Sequence, residues 1–100
     1  MSALAPIQPA RQSLASLLDG LAYDIPVVDI AGVAIDSRKV LADSLFLAYQ
    51  GTRSHGLDHV DAAISAGAAA VAWDRARAPA LDIANVHVDA LAKHASRIAG

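Results

Sequence analysis

The segment Leu45–Tyr49 constrains the fold more than any other, because it is apolar on both of its alternating faces. In a strand, Leu45, Leu47 and Tyr49 would point to one side, and Phe46 and Ala48 to the other. A strand of this kind has to be covered on both sides, as strands are in parallel sheets flanked by helices. The sequence therefore predicts an α/β fold with this segment at the centre of its sheet.

Short apolar runs around this segment predict the other strands. They are Pro26–Ile30, Val33–Ile35, Ala68–Trp73 and Val86–Val88. Three amphipathic segments predict helices, whose expected N-caps are Ser13, Asp58 and Asp89. We therefore expect an α/β unit of two or three layers, with about three helices and a mostly parallel or mixed sheet of four to five strands.

Two polar loops follow predicted strands and are the candidate functional segments. The first offers Asp36, Ser37 and Arg38, and the second, between Gly51 and Gly56, offers Thr52, Arg53 and Ser54. Hydroxyl and guanidinium groups at strand ends suit phosphates and sugars. Asp and Ser in such places also shape turns by bonding their own backbone, so pattern alone indicates a small α/β binding unit and nothing finer.

The spacing of the two loops argues against their meeting. Residues 36–44 separate the flanking strands, and a crossover between parallel neighbours usually takes about a dozen residues or more. On spacing alone, the two strands are either not adjacent, or antiparallel with their loops at opposite ends of the sheet.

Composition excludes several classes of function. Net charge is −2 with no long run of one sign, so we expect neither a nucleic-acid nor a membrane partner. Cysteine is absent, which excludes disulfides, thiol nucleophiles and cysteine-bound zinc. His55 and His59 have a metal-compatible spacing, but no third ligand stands out, and we predict no metal site. The amino end lacks a signal-peptide pattern, so we expect a cytoplasmic protein. We also expect a monomer.

The order of motifs in the centre of the chain resembles a known family. The motifs are D-S-R-x-V from Asp36, L-F-x-A from Leu45, the Gly-bounded loop, and A-x-x-x-G-A-x-A-V from Ala63. In this order they resemble the amino-terminal domain of the Mur ligases, most of all the type that adds a diamino acid to UDP-N-acetylmuramoyl-L-alanyl-D-glutamate. The resemblance covers about residues 14–100 and is strongest over residues 35–71.

The resemblance implies a role for the chain as a whole. Residues 13–100 would be the domain that anchors the uridine diphosphate end of that substrate, after a flexible tail at residues 1–12. ATP and magnesium would belong to further ligase domains of the same natural chain. The second loop lacks the Gly-Lys-Ser/Thr ending of an ATP-binding loop, so these 100 residues should hold no cofactor and no catalytic residue, and be inactive alone.

The resemblance also implies particular site residues. The substrate contacts would be Ile35, Ser37, Thr52, Arg53 and Ser54, and the loop-shaping residues Asp36, Arg38, Gly51 and Gly56. The chain departs from the family where Asp43-Ser44 replaces Gly-Asp and where His55-Gly56 replaces Asp-Gly. Two alternatives stay open: the sister ligase that adds D-alanyl-D-alanine, and a stand-alone α/β nucleotide-binding or interaction module without catalytic activity.

Overall fold

The fold is taken from a computed structural model that describes residues 11–51, 54–75 and 79–99. Its strands are β1 (Gln12–Ser13), β2 (Asp29–Ile30), β3 (Gly32–Ala34), β4 (Ser44–Ala48), β5 (Ala70–Trp73) and β6 (Ala84–His87). Its helices are α1 (Leu14–Leu17), α2 (Val60–Ser65) and α3 (Leu91–Ala99), and 3-10 turns span Ser37–Lys39 and Gly56–His59. The predicted α/β class is confirmed.

Strands β3 to β6 form one parallel sheet in chain order, and β1 and β2 form a separate antiparallel pair. Phe46 in β4 lies between Ala34 of β3 and Val71 of β5, so β4 is an inner strand, as predicted. All five residues of β4 are buried. The antiparallel pair of β1 and β2 begins at Gln12, which lies opposite Ile30. Gln12 is the last residue of the range 1–12 expected to be a flexible tail.

The two faces of β4 enter two separate cores, which makes the fold three layers deep. Leu45 and Leu47 pack in the core that contains α1 and α3, and Phe46 and Ala48 pack in the core that contains α2. Burial of these side chains on both faces is the main force that fixes β4 in the middle. The alternation read from the sequence is therefore confirmed.

The expectation that β3 and β4 are not parallel neighbours is wrong. They pair in parallel, with Val33 opposite Leu45, and residues 35–43 make the crossover. The connection is short because it contains a 3-10 turn in place of a helix, and the tight turn needs few residues. Val40 in this connection is buried in the α2 core, so the crossover covers the sheet as a helix would.

Two of the three predicted helix caps are also wrong. Ser13 caps α1 as predicted, with its hydroxyl accepting from the Ser16 N–H. His55, not Asp58, begins the turn that leads into α2. The first N–H of α3, on Leu91, is accepted by the Asp74 carboxylate at 3.1 Å rather than by Asp89. Within the described residues, none of the helices has the length and apolar character that crossing a membrane requires.

Candidate functional site

The two polar loops meet in one open cleft of about 580 Å³. Because β3 and β4 are parallel neighbours, the loops that follow them leave the same edge of the sheet. The first loop contributes Ile35, Asp36, Ser37 and Arg38, the second Gly51, Ser54 and Gly56, and the rest of the lining is Phe46, Leu47, Tyr49 and His59. The structure thus brings Ile35, Ser37 and Ser54 together, while Thr52 and Arg53 lie outside the described residues.

The first loop is held by an ion pair two residues apart. Asp36 caps the 3-10 turn by accepting from the Arg38 backbone N–H at 2.9 Å. The same carboxylate accepts from the Arg38 guanidinium at 2.8 and 3.1 Å. These hydrogen bonds from Arg38 lower the pKa of Asp36 to about 2, and the carboxylate in turn raises the pKa of Arg38. Ser37 is therefore presented to the cleft by a turn in which Asp36 pairs with Arg38 and Lys39 adds a further positive charge.

The second loop is closed at its base over the end of β4. The Gly51 N–H donates to the Ser54 carbonyl, and the Gly56 N–H donates to the Tyr49 carbonyl, both at 2.9 Å. A Cβ on Gly56 would stand 2.7 Å from the Ala48 Cα, so only glycine allows this approach. Gly56 therefore allows the end of the loop to pack directly against the end of β4.

His55, where the family often has Asp, is the N-cap of the second loop's turn. Its Nδ1 accepts from the Leu57 N–H at 3.0 Å, and Asp58 accepts from the His55 N–H at 3.2 Å, which completes a capping box. Its Nε2 lies 2.8 Å from the Asp74 carbonyl oxygen. With Nδ1 accepting, the hydrogen on Nε2 can donate to the Asp74 carbonyl, and this buried side chain ties the loop to the end of β5.

The Asp43-Ser44 departure has a backbone explanation. Asp43 has φ +63°, a conformation that glycine adopts freely and that Asp tolerates better than most residues. Its carboxylate also pairs with Arg11 at 3.0 Å. Ser44 is buried, and its hydroxyl accepts from the Leu41 N–H at 3.3 Å. The turn into β4 is thus kept without the family's glycine.

Neither histidine of the i, i+4 pair is placed to share a ligand with the other. His55 faces Asp74, whereas the His59 Nε2 lies 3.0 Å from the Ser54 hydroxyl oxygen. The sequence offered no reason to group Asp74, His87 and Asp89, but their ligand atoms all lie within 4.8 Å of one another. Asp74 already caps α3, and such exposed groups commonly stand together without an ion, so this cluster supports no metal assignment.

A second depression, of about 410 Å³, lies away from these loops. Its lining comes from β1 and β2, from residues next to them, and from the end of α3, including Gln12, Ile30 and Arg97. Its lining includes none of the candidate site residues predicted from the sequence. We therefore take the cleft at the carboxyl ends of β3 and β4 as the candidate site.

The fold is an α/β unit with a cleft at the carboxyl edge of a parallel sheet, the place where open α/β sheets commonly bind ligands. The chain belongs to the Mur ligase family. The family model described as "Mur ligase family, catalytic domain" matches residues 29–99, which include both loops of the cleft.

Two curated relatives carry the name UDP-N-acetylmuramoyl-L-alanyl-D-glutamate--2,6-diaminopimelate ligase. The protein from Caldanaerobacter subterraneus subsp. tengcongensis is 46% identical over 62% of this chain and 14% of its own length. The protein from Janthinobacterium sp. (strain Marseille) is 36% identical over 87% of this chain and 17% of its own length. The chain thus spans about a sixth, or less, of the length of these two relatives.

A solved structure shares the fold. MurF from Acinetobacter baumannii superimposes with a TM-score of 0.73 over 92% of this chain and 21% of that protein, at 20% identity. A likeness at this level of identity extends to the arrangement of strands and helices. It gives no guide to which ligand the cleft of this chain accepts.

Proposed function

We propose that residues 13–100 are the uridine-diphosphate-anchoring domain of an ATP-dependent peptidoglycan precursor ligase. The reaction of the whole protein would add meso-diaminopimelate, or another diamino acid, to UDP-N-acetylmuramoyl-L-alanyl-D-glutamate. The observation that carries the proposal is the meeting of both polar loops in one cleft at the carboxyl ends of β3 and β4. ATP, magnesium and the reacting groups would be held by other domains of the same natural chain.

The chemistry of the cleft supports a nucleoside ligand. Ile35 is 46% exposed at the cleft, which leaves an apolar surface for a base, and Ser37 and Ser54 bring hydroxyl groups from the two loops. We propose that Ile35 and Ser37 hold the nucleoside, and that Thr52, Arg53 and Ser54 extend toward the ribose and diphosphate. The matched pair of Asp36 and Arg38 shapes the first loop.

The names of the curated relatives favour a diamino acid as the group added. The support for the sister activity, addition of D-alanyl-D-alanine, comes from the likeness to MurF. At 20% identity, that likeness is evidence about the fold alone. The diaminopimelate ligases match this chain at 36% and 46% identity. We therefore retain the diamino-acid ligase as the proposed function.

An NMR titration of the labelled chain with UDP and UDP-N-acetylmuramic acid tests the proposal. An isolated domain makes part of the full contact set, so we expect millimolar affinity, about −4 kcal/mol. Ser37→Ala should weaken binding by about 0.5–1.5 kcal/mol, the worth of one neutral hydrogen bond. Ser65→Ala, an exposed serine in α2 away from the cleft, is the matched control and should bind as the unmodified chain does. Equal affinity of the unmodified chain and Ser37→Ala would contradict the assignment of Ser37.

A further inference from the structure

We propose that His59 is a positioning residue of the uridine cleft and acts through the hydroxyl group of Ser54; this inference rests on the proposed function. His59 lies in neither polar loop but ends the 3-10 turn that leads into α2. It lines the cleft, and its side chain is exposed there. The resemblance to the Mur ligases supplies no contact at this position.

The inference starts from one hydrogen bond. The His59 Nε2 lies 3.0 Å from the Ser54 hydroxyl oxygen, and both side chains line the cleft. The backbone of Ser54 is fixed separately, since its carbonyl accepts from the Gly51 N–H at 2.9 Å. The loop base therefore places the Cα of Ser54, and His59 orients the hydroxyl group that the loop carries.

The orientation of the Ser54 hydroxyl group matters because a hydroxyl group can either donate or accept a hydrogen bond. It has one hydrogen to donate and two lone pairs to accept with, and it rotates to suit its partner. A bond to Nε2 commits either the hydrogen or one lone pair of Ser54 and so fixes the role that remains for a ligand. A fixed hydroxyl loses less rotational freedom when the ligand arrives, so binding should be tighter than with a free one.

The structure suggests a matched pair of substitutions. The side-chain amide of Gln reaches about as far as the Nε2 of histidine, whereas that of Asn is shorter and corresponds to Nδ1. His59→Gln can keep a polar atom near the Ser54 hydroxyl oxygen, and His59→Asn cannot. Because His59 is exposed, both variants and His59→Ala should fold.

The test is a double-mutant cycle measured by NMR titration with UDP. We expect His59→Ala and His59→Asn to raise the Kd about threefold to tenfold, and His59→Gln to restore most of the affinity. In a Ser54→Ala background, His59→Ala should change the Kd less than twofold, because its effect passes through the missing hydroxyl group. The ring 15N resonance of His59 Nε2 should also shift when UDP is added to the unmodified chain.

Three results would overturn the inference. If His59→Ala leaves the Kd unchanged while Ser37→Ala raises it, the uridine site stands and His59 has no part in it. If His59→Ala weakens binding equally with and without the Ser54 hydroxyl group, His59 does not act through Ser54. If the unmodified chain shows no UDP-dependent shifts in the cleft, the proposed function fails and the inference fails with it.

Discussion

At the scale of single residues, each loop of the cleft depends on one side chain that caps a turn. Asp36 accepts the Arg38 N–H in the first loop, and His55 accepts the Leu57 N–H in the second. Each turn is a single 3-10 turn with few backbone hydrogen bonds, so the capping side chain adds to its stability. Asp36 therefore helps to fix the turn that carries Ser37, and His55 helps to fix the turn that follows Ser54.

The pKa of Asp36 gives a test with a definite sign. Hydrogen bonds from Arg38 lower it from 3.8 to about 2, so the folded state favours the ionised carboxylate. Its contribution to stability should be fully present above its unfolded pKa, near 4, and should be lost as pH falls through about 2. We expect the side-chain carboxyl 13C resonance of Asp36 to titrate near 2 in the folded chain. A midpoint near 4 would show that the pair with Arg38 does not persist in solution.

His55 should matter for stability far more than its surface neighbours. His55→Ala removes an N-cap and the buried hydrogen bond to the Asp74 carbonyl, and should lower the free energy of unfolding by about 1–3 kcal/mol. His59→Ala, an exposed histidine on the same turn, is the control and should cost less than about 0.5 kcal/mol. Urea unfolding measures both. If the two variants are equally stable, the role assigned to His55 is wrong.

At the scale of secondary-structure elements, β4 organises the fold. Leu47 is 1% exposed and packs in the core shared with α1 and α3. Leu47→Ala should therefore lower the free energy of unfolding by about 2–5 kcal/mol, through lost burial and the cavity it leaves. Leu41→Ala removes a leucine that is 73% exposed, and should change stability by less than about 0.5 kcal/mol. Similar losses for both would mean that β4 is not the inner strand.

Strong hydrophobic patterns predicted the strands of the parallel sheet and the three helices, but not the short strand β1 or the two 3-10 turns. Apolar residues on both faces of β4 predicted its central place, because no other arrangement buries both sets. Connections were harder, since the rule that parallel neighbours need a long crossover assumes a full helix, and residues 35–43 use a 3-10 turn. Caps were harder still. Asp58 and Asp89 fit the usual cap residues. His55 instead caps locally through Nδ1, an uncommon cap for a histidine, and Asp74 caps α3 through a contact that depends on the tertiary fold.

The sequence indicated in part which residues share the cleft. Motif order singled out Ile35, Ser37 and Ser54, which lie in one cleft. Spacing argued against their meeting, and only the parallel pairing of β3 with β4 brings them together. The sequence singled out His59 only for its spacing from His55, because its part in the cleft becomes visible only when its distance to the Ser54 hydroxyl group is known.

At the scale of the whole molecule, the hydrophobic cores and the cleft lie in different parts of the fold. The cores on either side of the sheet hold the strands, and both polar loops stand at the edge where β3 and β4 end. The chain covers 14% and 17% of the two diaminopimelate ligases described above, so ligation would need chain beyond these residues. What we propose for these residues is accordingly binding: the two loops form one site for a uridine nucleotide.

A chemical-shift map of the labelled chain, titrated in parallel with UDP and CDP, tests whether the two loops form this site. We expect UDP shifts to cluster at residues 35–38 and 51–56, with His59. CDP should bind less well, because polar groups arranged for the uracil edge would be left unpaired against cytosine. Shifts scattered over the surface, or the same response to both nucleotides, would contradict the claim and leave an interaction module as the surviving interpretation.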